Sequence, residues 1–210
     1  MAEELAKRVV FSPIMSQQLM QKNVDNITSR FNSATKEQRQ EGVDWYKKAN
    51  DIAFELGKGD VKKGAGILSA LSPAMEWSRN IRAARELVNT GETTHQYYHS
   101  TVVKAKRILE GEDPDTLFNE KTGAKTLNFY HNIANPEDPL PVTIDRHAHD
   151  IAVGEKGSMT KTLSGHLAGP RYRHFSEAYR NAAHELGIPI ANQVQAVTWG
   201  TQPKGRQANG

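Results

Sequence analysis

Apolar residues recur every three or four positions along almost the whole chain, and no stretch alternates with a period of two. The pattern therefore predicts helices and no sheet. After the cap-and-proline pair Ser12-Pro13, Met20, Val24, Ile27 and Phe31 share one face of a first helix. A second, from about Ser33 to Leu56, carries Val43, Tyr46, Ala49, Ala53 and Leu56, and Gly57 and Gly59 stop it. A third spans Asp60 to Leu71 and ends in the small, apolar GAGILSAL, which implies close packing. A fourth is expected to begin with Ser72 as cap, Pro73 in the first position and Glu76 as capping-box partner, burying Ile81, Ala84, Leu87 and Val88. Helices follow from about Thr94 to Leu109 and, briefly, after Asp113-Pro114.

The stretch from Thr122 to Ala152 joins Gly123-x-Lys125-Thr126, a helix start that Thr122 can cap, to a Pro-rich extended link and then to Asp145 at the head of another helix. Val153 to His174, rich in Gly, Ser and basic residues, reads as a long loop. Tyr172, Phe175, Tyr179, Ala183 and Leu186 form the stripe of a further helix, ended by Gly187 and Pro189. A short last helix reaches Trp199, and 201–210 forms a flexible tail. The expectation is one compact all-α, multi-helix domain at 33–200 behind a helical N-terminal extension at 1–32.

Composition narrows the chemistry. The 210 residues suffice to bury a core, and the absence of cysteine excludes disulfides, thiolate metal sites, iron–sulfur clusters and a cysteine nucleophile. No apolar run approaches the ~18 residues that cross a bilayer, and MAEELAKRVVF lacks the pattern of a signal peptide. A cytoplasmic protein with no membrane partner is expected. The net charge of +3 permits a polyanionic partner without requiring one. His147-x-His149-Asp150 invites a metal, but helical residues two apart face different ways, so no metal and no cofactor is expected.

The order Gly-x-Lys-Thr, amphipathic helix, Pro-rich link, Ile-Asp-x-His resembles the signature region of the helix-hairpin-helix DNA glycosylase superfamily, the endonuclease III and adenine glycosylase group. The corresponding residues are Gly123, Lys125, Thr126 and Leu127, then Ile144, Asp145, Arg146 and His147; ILSAL, ending at Leu71, resembles the family segment that carries a DNA wedge. The resemblance implies Lys125 as the amine that attacks the sugar C1′, Asp145 as the carboxylate that supports an oxocarbenium-like sugar, Leu71 as the wedge, and a base flipped from the stack. It covers roughly Gly64 to Ala152. NEKTG stands where the family has a Leu-Pro-Gly-Val-Gly hairpin, so the proline and first glycine are missing. Segments like ALSPAMEW, VTIDRHA and QAVTW also resemble a set of bacteriophage and bacterial proteins.

DNA is the expected partner. Its binding face is expected to include the loop from Gly154 to His174, with Arg171 and Arg173, and the turn from Glu120 to Thr126. Trp77 is placed to stack on a base, and His147 to pack or hydrogen-bond beside Asp145. Removal of an ordinary or modified base is the first reading. A non-catalytic nucleic-acid- or protein-binding module on the same fold, a phage base-hypermodification enzyme, and a metal hydrolase using His and Asp are the alternatives.

Overall fold

Caps and close crossings set the helix boundaries. The computed structural model describes residues 13–94, 98–157, 167 and 169–201. Within these are ten helices and no strand: α1 (Pro13–Asn32), α2 (Lys36–Leu56), α3 (Val61–Leu71), α4 (Trp77–Thr90), α5 (His99–Leu109), α6 (Pro114–Leu117), α7 (Glu120–Ala134), α8 (Arg146–Val153), α9 (Gly169–Glu185) and α10 (Ala191–Gly200). Among the described residues, no helix is long and apolar enough to cross a membrane. The expected tail beyond Thr201 lies outside them.

Several starts differ from expectation for local reasons. Thr35, not Ser33, caps α2 in a reciprocal box with Gln38. Ser72 does not open α4, because its hydroxyl and N–H both go to the Ser69 carbonyl and close α3. The chain then turns through Ala74 in the left-handed region, φ 57°, and Glu76 caps α4 by accepting from the N–H groups of Ser78 and Arg79. Thr94 starts no helix, since its N–H and hydroxyl are tied back to the Glu86 carboxylate. The α9 helix begins at Gly169, so Arg171 and Arg173 lie on a helix rather than in a loop.

Two apolar clusters fill the interior. In the first, Val24, Ile27 and Phe31 of α1 meet Val142, Ile144, Ile151 and the inner faces of α9 and α10. The first helix is thus an integral part of the core and not an extension ahead of it. The second cluster joins α2, α3, α4 and α5 to Phe129, Tyr130 and Ile133 of α7. Two helices belong to both: α7 sends Ala124 to the first cluster, and α10 sends Ala196 to the second and Val194 and Val197 to the first.

Two glycines allow the closest crossings. A Cβ at Gly64 would overlap the carbonyl oxygen of Ala53, and one at Gly42 would lie 2.5 Å from the Val197 Cα. These contacts bring α3 and α10 against opposite ends of α2, and they align the seam between the two clusters.

Candidate functional site

Along that seam runs a layer of polar side chains. After α7 the chain returns as an extended segment, so alternate residues face opposite ways. Val142 and Ile144 enter the first cluster, while Thr143 faces the seam. The Tyr172 hydroxyl accepts from the Ile144 N–H at 3.0 Å and donates to the Val142 carbonyl at 2.9 Å, fixing the segment from α9. The Thr143 hydroxyl oxygen accepts from Asn132 Nδ2 at 2.9 Å. The Tyr46 hydroxyl lies 3.2 Å from Thr143 Oγ1 and 3.0 Å from Gln195 Oε1.

Asp145 is delivered by this clamped segment as the cap of α8. Its Oδ1 accepts from the Ala148 N–H at 2.8 Å and from the Trp199 indole Nε1–H at 3.2 Å. Its Oδ2 has no hydrogen bond to a described residue. The carboxylate is half-buried, with one oxygen held and the other open. Burial raises the phenol pKa values of Tyr46, Tyr172 and Tyr179, and the negative charge of Asp145 raises them further, so all three remain neutral hydroxyls around it.

The three tryptophans of the chain form one cluster that reaches this carboxylate through Trp199. Trp45 lies 5.0 Å from Trp77, 5.9 Å from Trp199 and 6.1 Å from Phe129, centroid to centroid. Each tryptophan is half-buried, so the cluster presents aromatic surface to solvent instead of closing into the core. Expectation had placed Trp77 at the site but had not singled out Trp45. Its neighbour Tyr46 fills the inner stripe of α2, and a helical stripe alone does not distinguish a half-exposed ring beside it from ordinary core.

Lys125 is half-buried on α7 and forms no ion pair or hydrogen bond with a described residue. Phe129 and Asn132 follow it at four and seven residues, on the same face of the helix. Phe129 belongs to the aromatic cluster and Asn132 holds Thr143, two residues before Asp145. The Lys125 face of α7 is therefore turned toward the segment that carries Asp145. The two helices pack mainly on other elements: α7 rests on α3 and α2, α8 on α1 and α10, and both touch α9.

Gly123 does not start its helix. Asn119 accepts from the Lys121 N–H, α7 begins at Glu120, and Gly123 kinks it with φ −155° and ψ 38°. The Thr122 side chain lies outside the described residues. Thr126 is half-buried on the following turn. His147 is half-buried in the first turn of α8 and makes no hydrogen bond with a described residue, so of its two expected roles beside Asp145 packing is the one left.

Leu71 requires correction. It is 0% exposed, packed in the second cluster at the end of α3, and cannot reach DNA as a wedge without leaving the core. Arg171 and Arg173 are exposed on the first turns of α9, and Arg173 lines a shallow cleft with Glu120, Ala124, Asn128, Gly169 and Tyr172. The starts of α7 and α9 thus lie side by side. Lys156 is exposed, whereas Lys161 lies outside the described residues.

Other titratable groups have structural partners. His149 is buried against Phe175 with the Asp150 carboxylate at 3.4 Å, and Asp150 accepts from the Gly157 N–H. Among the described residues, no three His, Asp or Glu side chains are grouped to hold a metal ion. Asp115 draws Lys62, Tyr130 and His131 together and fastens α6 to α3 and α7.

No match was found among curated proteins or solved structures. A family model does match, over residues 12–206, which include α1, the tryptophan cluster, Lys125 and Asp145. The chain belongs to that family, the family of unknown function DUF7178.

Proposed function

We propose that the chain is a DNA glycosylase-like enzyme that cleaves the N-glycosidic bond of a base taken out of the DNA stack. One observation carries the reading: the Asp145 carboxylate, held through Oδ1 and open at Oδ2, borders a half-exposed surface of three tryptophans toward which the Lys125 face of α7 is turned. A flat base stacks on indole rings without regard to sequence, which suits capture of an extruded nucleotide. As the bond from C1′ to the base breaks, positive charge develops on the sugar, and an ionised carboxylate at a helix N-terminus stabilises it. Lys125 Nζ, as the free amine, then forms the bond to C1′ as the bond to the base breaks, an amine proton passing to the departing base, and opening of the C1′–O4′ bond gives the imine. Where water attacks instead, its proton goes to the base and its hydroxyl stays on C1′.

Support from the starts of α7 and α9 concerns DNA rather than the base: Arg171 and Arg173 are exposed on α9, and Lys121 is exposed beside Glu120 on α7. A second reading, a nucleic-acid-binding module without chemistry, is favoured by the burial of Leu71, which leaves the chain without the expected wedge.

Single- and double-stranded oligonucleotides carrying natural, damaged and hypermodified bases, incubated with the protein and assayed for free base, separate the two readings. Borohydride reduction of the lysine imine to a stable crosslink, lost in Lys125→Ala, is the expected outcome for lysine attack. Base release that survives in Lys125→Ala but fails in folded Asp145→Asn assigns the attack to water. Binding without base release on any substrate favours the module.

A further inference from the structure

We infer that Trp199 is a positioning residue for Asp145, its indole N–H setting the plane in which the carboxylate meets the site. The Ala148 N–H belongs to the helix that Asp145 caps, and such a bond forms at any capping aspartate. By itself that one bond holds an oxygen but leaves the carboxylate free to swing about it. The Trp199 bond arrives from a different helix, 54 residues along the chain, and falls on the same Oδ1. Two donors converging on one oxygen fix the carboxylate plane and leave Oδ2 without a donor among the described residues.

Trp199 is itself held in place. Its ring meets Trp45 edge to face, with an interplanar angle of 84°. One turn earlier on α10, the fully buried Gln195 presents Oε1 to Tyr46. The helix that contributes to both apolar clusters thus orients the carboxylate at their seam, and a shift of α10 along α2 moves the Asp145 side chain with it. The catalytic consequence rests on the glycosylase-like reading above; the positioning contact does not.

Two measurements test these separately. In 15N-labelled protein the three indole N–H resonances are resolved, with Trp199 identified by its loss in Trp199→Phe. Asp145→Ala is expected to shift the Trp199 resonance and speed its exchange with water, leaving Trp45 and Trp77 as folding controls. Asp145→Asn, which keeps an oxygen acceptor, is expected to restore much of the protection and supplies a folded variant if alanine is not tolerated. A Trp199 resonance indifferent to both changes overturns the inference.

For base release, Trp199→Phe keeps an aromatic ring against Trp45 and removes the donor together with the pyrrole ring. It is expected to lower kcat about tenfold with KM little changed, the order expected for one hydrogen bond to a charged group. Full kcat in Trp199→Phe also overturns the inference. If the wild-type protein releases no base, the glycosylase-like reading fails, and the indole resonances alone decide the positioning role.

Discussion

A capping aspartate and a catalytic aspartate make different demands on the same side chain, and substitution separates them. Asp145→Ala removes the acceptor for the Ala148 N–H and is expected to cost about 1 kcal/mol in urea unfolding, whereas Asp145→Asn costs less because its carbonyl oxygen can still cap. A loss of activity in Asp145→Asn larger than its loss of stability is then chemical. The histidines supply a pH test. Burial pushes His149 and His174 below the ordinary histidine range, opposed at His149 by Asp150. The unfolded chain therefore binds more protons in the window beneath about pH 6.5, so their contribution is complete above that value and is lost as the pH falls through it. The thermal midpoint is expected to decline as the pH is lowered from about 7.5 to 5, and less steeply in His149→Gln. Asp115 acts in a lower window. Burial works against its charge, yet His131 and Lys62 hold its carboxyl below the usual range, so its contribution is lost as the pH falls beneath about 4.

Between residue and fold, the extended segment before α8 is the element on which the site depends. Tyr172 satisfies a buried N–H and a buried carbonyl of that segment with one hydroxyl. Tyr172→Phe leaves both unpaired and is expected to cost about 2 kcal/mol, with amide hydrogen exchange at Ile144 accelerated more than in α2. The crossing of α2 and α3 depends on a missing side chain. Gly64→Ala places a methyl group on the Ala53 carbonyl and is expected to cost about 3 kcal/mol, because two packed helices must separate. These two elements differ in how far they could be read from sequence. GAGILSAL announces close packing by its small residues, and the boundaries Asp60 to Leu71 follow from the cap. The clamp on Val142 and Ile144 comes from a tyrosine 30 and 28 residues away, which no local pattern connects to them.

Across the whole molecule, the joining of two apolar clusters by α7 and α10 places every tryptophan at one seam. Tryptophan fluorescence, excited apart from that of the tyrosines, therefore reports on this cluster, and stacking of a base-containing oligonucleotide is expected to quench it. Arg171 and Arg173 at the start of α9, with the neighbouring start of α7, are the expected track for the phosphate backbone. Reversing charge at both Arg171 and Arg173 is expected to weaken DNA binding equally for all sequences and to reduce its salt dependence by about two phosphate contacts, measured as the slope of log affinity against log salt. Unchanged binding after both reversals moves the DNA face elsewhere.

Helical content, the apolar stripes of α1, α2 and α9, and the role of Asp145 as a cap were legible in the sequence, because each depends on residues within a turn or two of one another. Helix starts failed where a nominal cap was already engaged: Ser72 closes the helix before it, and Thr94 is drawn back to Glu86. Leu71 and Trp77 are six residues apart and looked alike as surface candidates, yet one is enclosed by other helices and the other reaches solvent. Burial depends on what packs over a side chain, and that covering comes from distant segments. For the same reason the sequence specifies that Asp145 has a carboxylate at a helix start, while the fold alone brings Trp199 to one of its oxygens and leaves the other open.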